Sequence, residues 1–113
     1  MPIENWSDRV VIVKLNNDPH LGEDLQTAAE LAGRKPVSVV VDLSAVKFVN
    51  SSHIARMLKL RKVLVNSGNR LILCGADAQV WSAFLVTGLD KVFDFADALP
   101  SALAALQLAE TSS

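Results

Sequence analysis

Apolar positions fall into two rhythms along this chain. Val10-Val11-Ile12-Val13-Lys14-Leu15 is a β-branched run cut off by Asn16-Asn17-Asp18-Pro19, which predicts an inner strand ending in a turn. Ile3 to Ser7 gives a weaker edge-strand signal, because Pro2 and Asn5 suit a strand poorly. Gly22 to Ala32 sets Leu25, Ala28, Ala29 and Leu31 near helical spacing, with Glu23 and Asp24 in the first turn and Gly33 as the expected terminator. After Pro36, Val37 to Leu43 is nearly continuously apolar, as a strand covered on both faces should be. Ser51 to Asn66 reads as a helix with Ile54, Met57, Leu58, Leu64 and Val65 on one side and Arg56, Lys59 and Lys62 at three-residue steps on the other. Ser51 or Ser52 is its expected N-cap, and Ser67-Gly68-Asn69 closes it. Arg70 to Cys74 is a further buried strand, and Ala78 to Thr87 a helix between Asp77 as cap and Gly88 as stop. Val92 to Phe95 reads as a last short strand, and Ala98 to Leu108 as a final helix with Pro100 in its first turn. Strands alternating with helices predict an α/β fold, a mostly parallel sheet of four to five strands with about four helices.

Length leaves room for one domain. With 113 residues, half of them apolar, the expectation is a single unit over 1–113, its first eight residues holding the edge strand and 109–113 a polar tail. No apolar stretch approaches the roughly 20 residues of a bilayer span, and Met1-Pro2-Ile3-Glu4 lacks the layout of a signal peptide. The single cysteine, Cys74, permits no intrachain disulfide and fits a reducing compartment. A cytoplasmic protein that does not span a membrane is therefore expected.

Charge changes this picture in one respect. The net charge of -1 conceals six basic residues and no acidic one between Leu43 and Ala76, while the remainder holds all twelve carboxylates. A basic middle between acidic ends is read first as a solvated face, and as its functional alternative as a surface that meets an acidic protein partner. The balance is not that of a nucleic-acid binder, and with no tyrosine, four Phe and two Trp a base-stacking platform is not expected either.

Chemical motifs are mostly missing. There is no glycine-rich phosphate loop, HExxH or CxxC, and His20 and His53 are not spaced with acidic or thiol partners as a metal site requires. No serine stands in a G-x-S-x-G turn. Cys74 sits mid-strand as a small core residue, and Trp81 and Phe84 are expected to be core anchors. Neither a catalytic residue, a cofactor nor a metal is expected, so the chain is read as a binding protein and not an enzyme.

What remains is the junction DLSAVKFVNSSHI, Asp42 to Ile54, between a buried strand and an amphipathic helix. Open sheets place functional groups at such turns, where helix N-terminal amides favour an anion. From the residues alone, Ser51 and Ser52 are read as caps in the first place.

Asp42 is followed after eight residues by Asn50-Ser51-Ser52-His53, Gly68 precedes the next strand, and Thr87-Gly88-Leu89 closes the third helix. From Val37 to Phe93 this order resembles the STAS domain, the module shared by sulfate transporters and anti-sigma factor antagonists. The family's segment is Asp-Ser-Ser-Gly or a close variant, so Asn50 stands for its acidic residue and His53 for its glycine. The loop Asn16 to His20 also departs from the Gly-Glu-Leu-Asp-like stretch often seen there.

The resemblance implies an anti-sigma factor antagonist of bacterial signalling, a phosphoprotein that binds a kinase-type anti-sigma partner and is released when Ser51 is phosphorylated. Asn50, Ser52, His53, Arg56, Lys59 and Lys62 are then the candidate partner-binding residues. A second reading is a non-phosphorylated STAS interaction subunit, binding ABC lipid-transport subunits, other STAS proteins or a signalling scaffold. A third is a receiver-like domain with Asp42 as phospho-acceptor, which needs an acidic pair after the first strand and a lysine after the last.

Overall fold

The computed structural model describes residues 3–17 and 21–111. Five strands form one sheet in sequence order: β1 (Ile3–Asn5), β2 (Val10–Asn16), β3 (Ser38–Ala45), β4 (Leu71–Cys74) and β5 (Asp94–Ala96). β1 runs antiparallel to β2, and every later pairing is parallel. Four helices connect or follow the strands: α1 (Leu21–Arg34), α2 (Ser51–Asn66), α3 (Ala78–Thr87) and α4 (Leu99–Thr111). The α/β class and the mostly parallel sheet predicted from the alternation are therefore present.

The pleat sorts the apolar residues into two cores. Val11, Val13 and Leu15 of β2, Val39, Val41 and Leu43 of β3, and Leu71 and Leu73 of β4 pack with Leu25 of α1, Met57, Leu60 and Leu64 of α2, and Val80 and Phe84 of α3. The alternate residues Val10, Val40, Ile72 and Cys74 lie beneath Ala102 and Leu106 of α4. Three helices thus cover one face and one helix the other, which is why β3 and β4 read as continuously apolar. Each fully buried Leu or Val contributes roughly 1.5–3 kcal/mol of transfer free energy. Cys74 is a buried core residue, as expected, and Phe84 is fully buried. Trp81 is half-buried, its ring set edge-on to Phe95 at 4.7 Å between centroids.

Several predicted boundaries move, that of β3 among them, which spans Ser38–Ala45 and not Val37–Leu43. Gly33 does not stop α1, which continues to Arg34, because a single glycine in a last helical turn costs only about 1 kcal/mol. The last strand is Asp94–Ala96 and not Val92–Phe95: Leu89–Lys91 forms a 3-10 turn, and Phe93 turns into the core against Phe84. α4 runs to Thr111, so most of the expected polar tail is helical. α2 keeps its predicted range, Ser51–Asn66, and only its cap differs, which belongs to the site below. Asp77 and Gly88 hold the ends of α3 as predicted, Asp77 accepting the Val80 amide at 2.9 Å and Gly88 adopting the left-handed conformation at φ 74°.

Candidate functional site

A five-residue loop joins β3 to α2. β3 ends at Ala45, and Val46 then drops into the core, fully buried, its amide donating to Leu43 O at 2.9 Å. The chain surfaces through Lys47, Phe48 and Val49 and enters α2 at Asn50. Val46 therefore acts as a plug, and the exposed residues after it are set by a buried one.

The N-cap of α2 is Asn50, not Ser51 or Ser52. Asn50 Oδ1 accepts the His53 amide at 2.8 Å, and His53 Nδ1 accepts the Asn50 amide at 3.3 Å, a reciprocal capping box. Serine and asparagine cap about equally well, so the returning bond from His53 decides the register. This places Ser51 and Ser52 as the first two helical residues, both exposed, with neither hydroxyl spent on capping. His53 is half-buried, and burial first, then the neighbouring Arg56, lowers its pKa below 6.5. The neutral ring, with Nδ1 free to accept, is the form the capping box requires.

Ser51 lies on the rim of an open groove of about 460 Å³ lined by Phe48, Val49, Asn50 and Ile54 on one side and by Ala83, Val86 and Thr87 of α3 on the other. The groove exists because α2 packs against α1 and stands off α3. Its lining is largely apolar and reaches solvent: Phe48 is 52% and Val86 87% exposed. Leu58 and Val65, expected on the buried side of α2, are exposed instead. At about 100° per residue they share a line with Ser51, Ala55 and Lys62.

The basic residues do not form one face. Three-residue steps drift about 60° around a helix, so Arg56, Lys59 and Lys62 spiral across the outer surface. Arg56 leans onto α1, where a Cβ on Gly22 would meet Arg56 Nε at 3.1 Å. Lys59 and Lys62 are exposed, and Lys62 alone of the three shares the Ser51 line. The site thus brings together Asn50, Ser51 and His53 with Phe48 and Val86, which sequence reasoning missed. For Val86 the signal was present in α3, whose ten residues carry no charge and more apolar side chains than a single buried stripe uses, whereas Phe48 stands in the loop before α2.

Other sequence candidates lie apart. His20 and Asp18 are outside the described residues. Asp42, within β3 and three residues before its end, accepts the Ser44 amide at 3.0 Å, and Lys91 stands in the 3-10 turn before β5 and not after it, so the lysine a receiver needs is misplaced. Among the described residues no cluster of His, Cys, Asp and Glu is arranged to hold a metal. No described helix is long and apolar enough to cross a membrane.

Among solved structures the chain is similar to a candidate anti-sigma factor antagonist from Thermotoga maritima (19% identity, 94% of this chain and 93% of that one, TM-score 0.82). It is also similar to the anti-sigma factor antagonist SpoIIAA in its unphosphorylated form (20%, 93% and 94%, TM-score 0.80). A third neighbour comes from the molecular architecture of the stressosome, a signal integration and transduction hub (22%, 96% and 98%, TM-score 0.74). No curated protein matches the chain. These likenesses establish a shared sheet and helix arrangement. The sequence comparison reaches further: the STAS domain family matches residues 7–102, from just before β2 into α4, and the chain belongs to that family.

Proposed function

We propose that the chain is a partner-switching regulator of the anti-sigma factor antagonist type, which binds a kinase-type anti-sigma protein and is released when Ser51 is phosphorylated. One observation carries this reading: Ser51 is an exposed first-turn residue, unspent in capping, on the rim of an apolar groove. A phosphate there adds roughly -1.5 to -2 charges, which the amides at the start of α2 accommodate. The same charge opposes a partner that must cover Phe48 and Val86, since a buried, unpaired anion is expensive. Folding is left intact and the surface alone changes. Two of the structural neighbours are antagonists of this type by name, which supports the class of partner.

A second reading keeps the partner surface and removes the switch. Asn50 and His53 replace the acidic residue and the glycine of the family's segment and are bonded to each other, which suits a constitutive interaction subunit, of a transport system or of a scaffold such as the stressosome. Phosphosite mapping of the protein recovered from its native cells, together with the proteins that accompany it, separates the two. Phosphate on Ser51 and an accompanying kinase-type protein support the first. Ser51 unmodified under all growth conditions, with transporter or scaffold subunits bound, supports the second.

A further inference from the structure

Asn17 ties the loop that presents Ser51 to the end of the neighbouring strand β2. Asn17, in the turn after β2, donates Nδ2 to Phe48 O at 2.9 Å, while its Oδ1 accepts the amides of Lys47 and of Phe48, the latter at 3.3 Å. Thirty-one positions separate Asn17 from Phe48 in the chain. The β2–β3 ladder ends at the pair Asn16 and Ala45, after a register shift beyond Lys14. A carboxamide carries both a donor and an acceptor in the spacing of a peptide group, so Asn17 continues the ladder where the backbones part.

The consequence is local and specific. The Phe48 backbone is fixed on both its amide and its carbonyl, and two residues later the chain reaches Asn50, the cap of α2. Asn17 thus holds the Phe48 backbone on the groove rim two residues before the Asn50–His53 capping box that starts α2. Asn17 is half-buried, whereas the residues it holds are exposed, so neither packing around Lys47 nor burial of Phe48 substitutes for those bonds. Without them Lys47 and Phe48, which lie between the buried Val46 and the half-buried Val49, exchange with solvent more readily.

We infer that Asn17 is the positioning residue of the Ser51 site, acting through the backbone of Lys47 and Phe48. The inference rests on the reading of Ser51 as the switch, and its test uses no partner. Ser51→Cys places a thiol at the first residue of α2 in a chain whose own cysteine is buried. Its reaction with a disulfide reagent across pH should show an ionisation midpoint below the usual value of about 8.5, the effect of a helix N-terminus on a thiolate.

Adding Asn17→Ala should return that midpoint toward about 8.5 and speed amide exchange at Lys47 and Phe48 about tenfold. Exchange at Val40 and Ile72 in the sheet should stay unchanged. Asn17→Asp keeps the acceptor for both amides and should hold their exchange nearer the wild-type rate than Asn17→Ala does. Overturning results are an unchanged thiol midpoint and unchanged loop exchange in Asn17→Ala, or equal effects of Ala and Asp. Failure here leaves the Ser51 switch standing. Conversely, a Ser51→Asp protein that binds its partners normally removes the switch and leaves the Asn17 clamp in place.

Discussion

Asn50 and His53 complete one another: each side chain accepts the other residue's amide, at 2.8 Å into Asn50 Oδ1 and 3.3 Å into His53 Nδ1. The two residues that depart from the Asp-Ser-Ser-Gly pattern are therefore a matched pair, and their effects should not add. Asn50→Ala should lower stability by about 1 kcal/mol, a fall of roughly 4 °C in thermal midpoint. Asn50→Asp should leave it nearly unchanged, since Asp caps as well as Asn. In a double-mutant cycle by urea unfolding, His53→Gly should cost less in an Asn50→Ala background than in the wild type. Additive losses would show that the reciprocal bond contributes nothing.

Acidification should open the same box. His53 is held below its ordinary pKa of 6.5, first by burial and then by Arg56, so the folded state prefers the neutral ring. A lowered histidine pKa gives stability that is fully present above 6.5 and is lost as pH falls from 6.5 through the folded value. Besides Arg56 on its own helix, Glu23 and Asp24 occupy the first turn of the adjacent α1. Urea midpoints of wild type and His53→Gln between pH 7.5 and 5 should converge as pH falls, and parallel curves would contradict this.

Cys74 reports on α4. Burial first, and the Asp42 carboxylate second, push its thiol up to about 11, and it lies in the core formed with Ala102 and Leu106. Reaction with a thiol reagent at pH 8 should therefore be slow and limited by opening of the helix. Leu106→Ala should destabilise the protein by about 2–5 kcal/mol and accelerate labelling by a matching factor if α4 opens with the global transition. Fast labelling of the wild type would show that α4 detaches readily.

The fold was legible because its strands are β-branched runs bounded by Asn, Pro and Gly, and because α3 carries both its Asp77 cap and its Gly88 stop in sequence. The last strand was less so: Val92 and Phe93 have strand composition, but the turn begun at Leu89 carries Phe93 into the aromatic cluster with Phe84 before pairing starts. The helical pattern put Ser51 at the start of α2, as the structure has it, while its candidacy as a switch came from the family resemblance and its surroundings were not legible. A groove is a gap between helices, here α2 and α3, and no residue pattern within either helix encodes the distance between them. The Asn17 contact is invisible for a related reason, since it joins positions that only the β2–β3 register brings together.

Surface charge should act on the rate of encounter. Lys59 is exposed and has no carboxylate in its stretch of sequence from Leu43 to Ala76. Lys59→Glu should slow association with an acidic partner and flatten its salt dependence, with little change in dissociation. Arg56→Glu should in addition destabilise the fold, because Arg56 packs on Gly22. Association rates that do not respond to Lys59→Glu at any salt concentration would remove the basic surface from the interface.

The central claim is that a negative charge at Ser51 closes a protein-binding surface without unfolding the protein. Its most direct test is a quantitative comparison, by mass spectrometry, of the proteins retained from native cell extract by wild type, Ser51→Ala and Ser51→Asp, with thermal midpoints recorded alongside. Ser51→Asp should melt within about 2 °C of wild type, because a carboxylate in the first turn of a helix is favourable. It should lose a kinase-type protein that wild type and Ser51→Ala both retain. The same partners at the same levels on all three proteins would contradict the account.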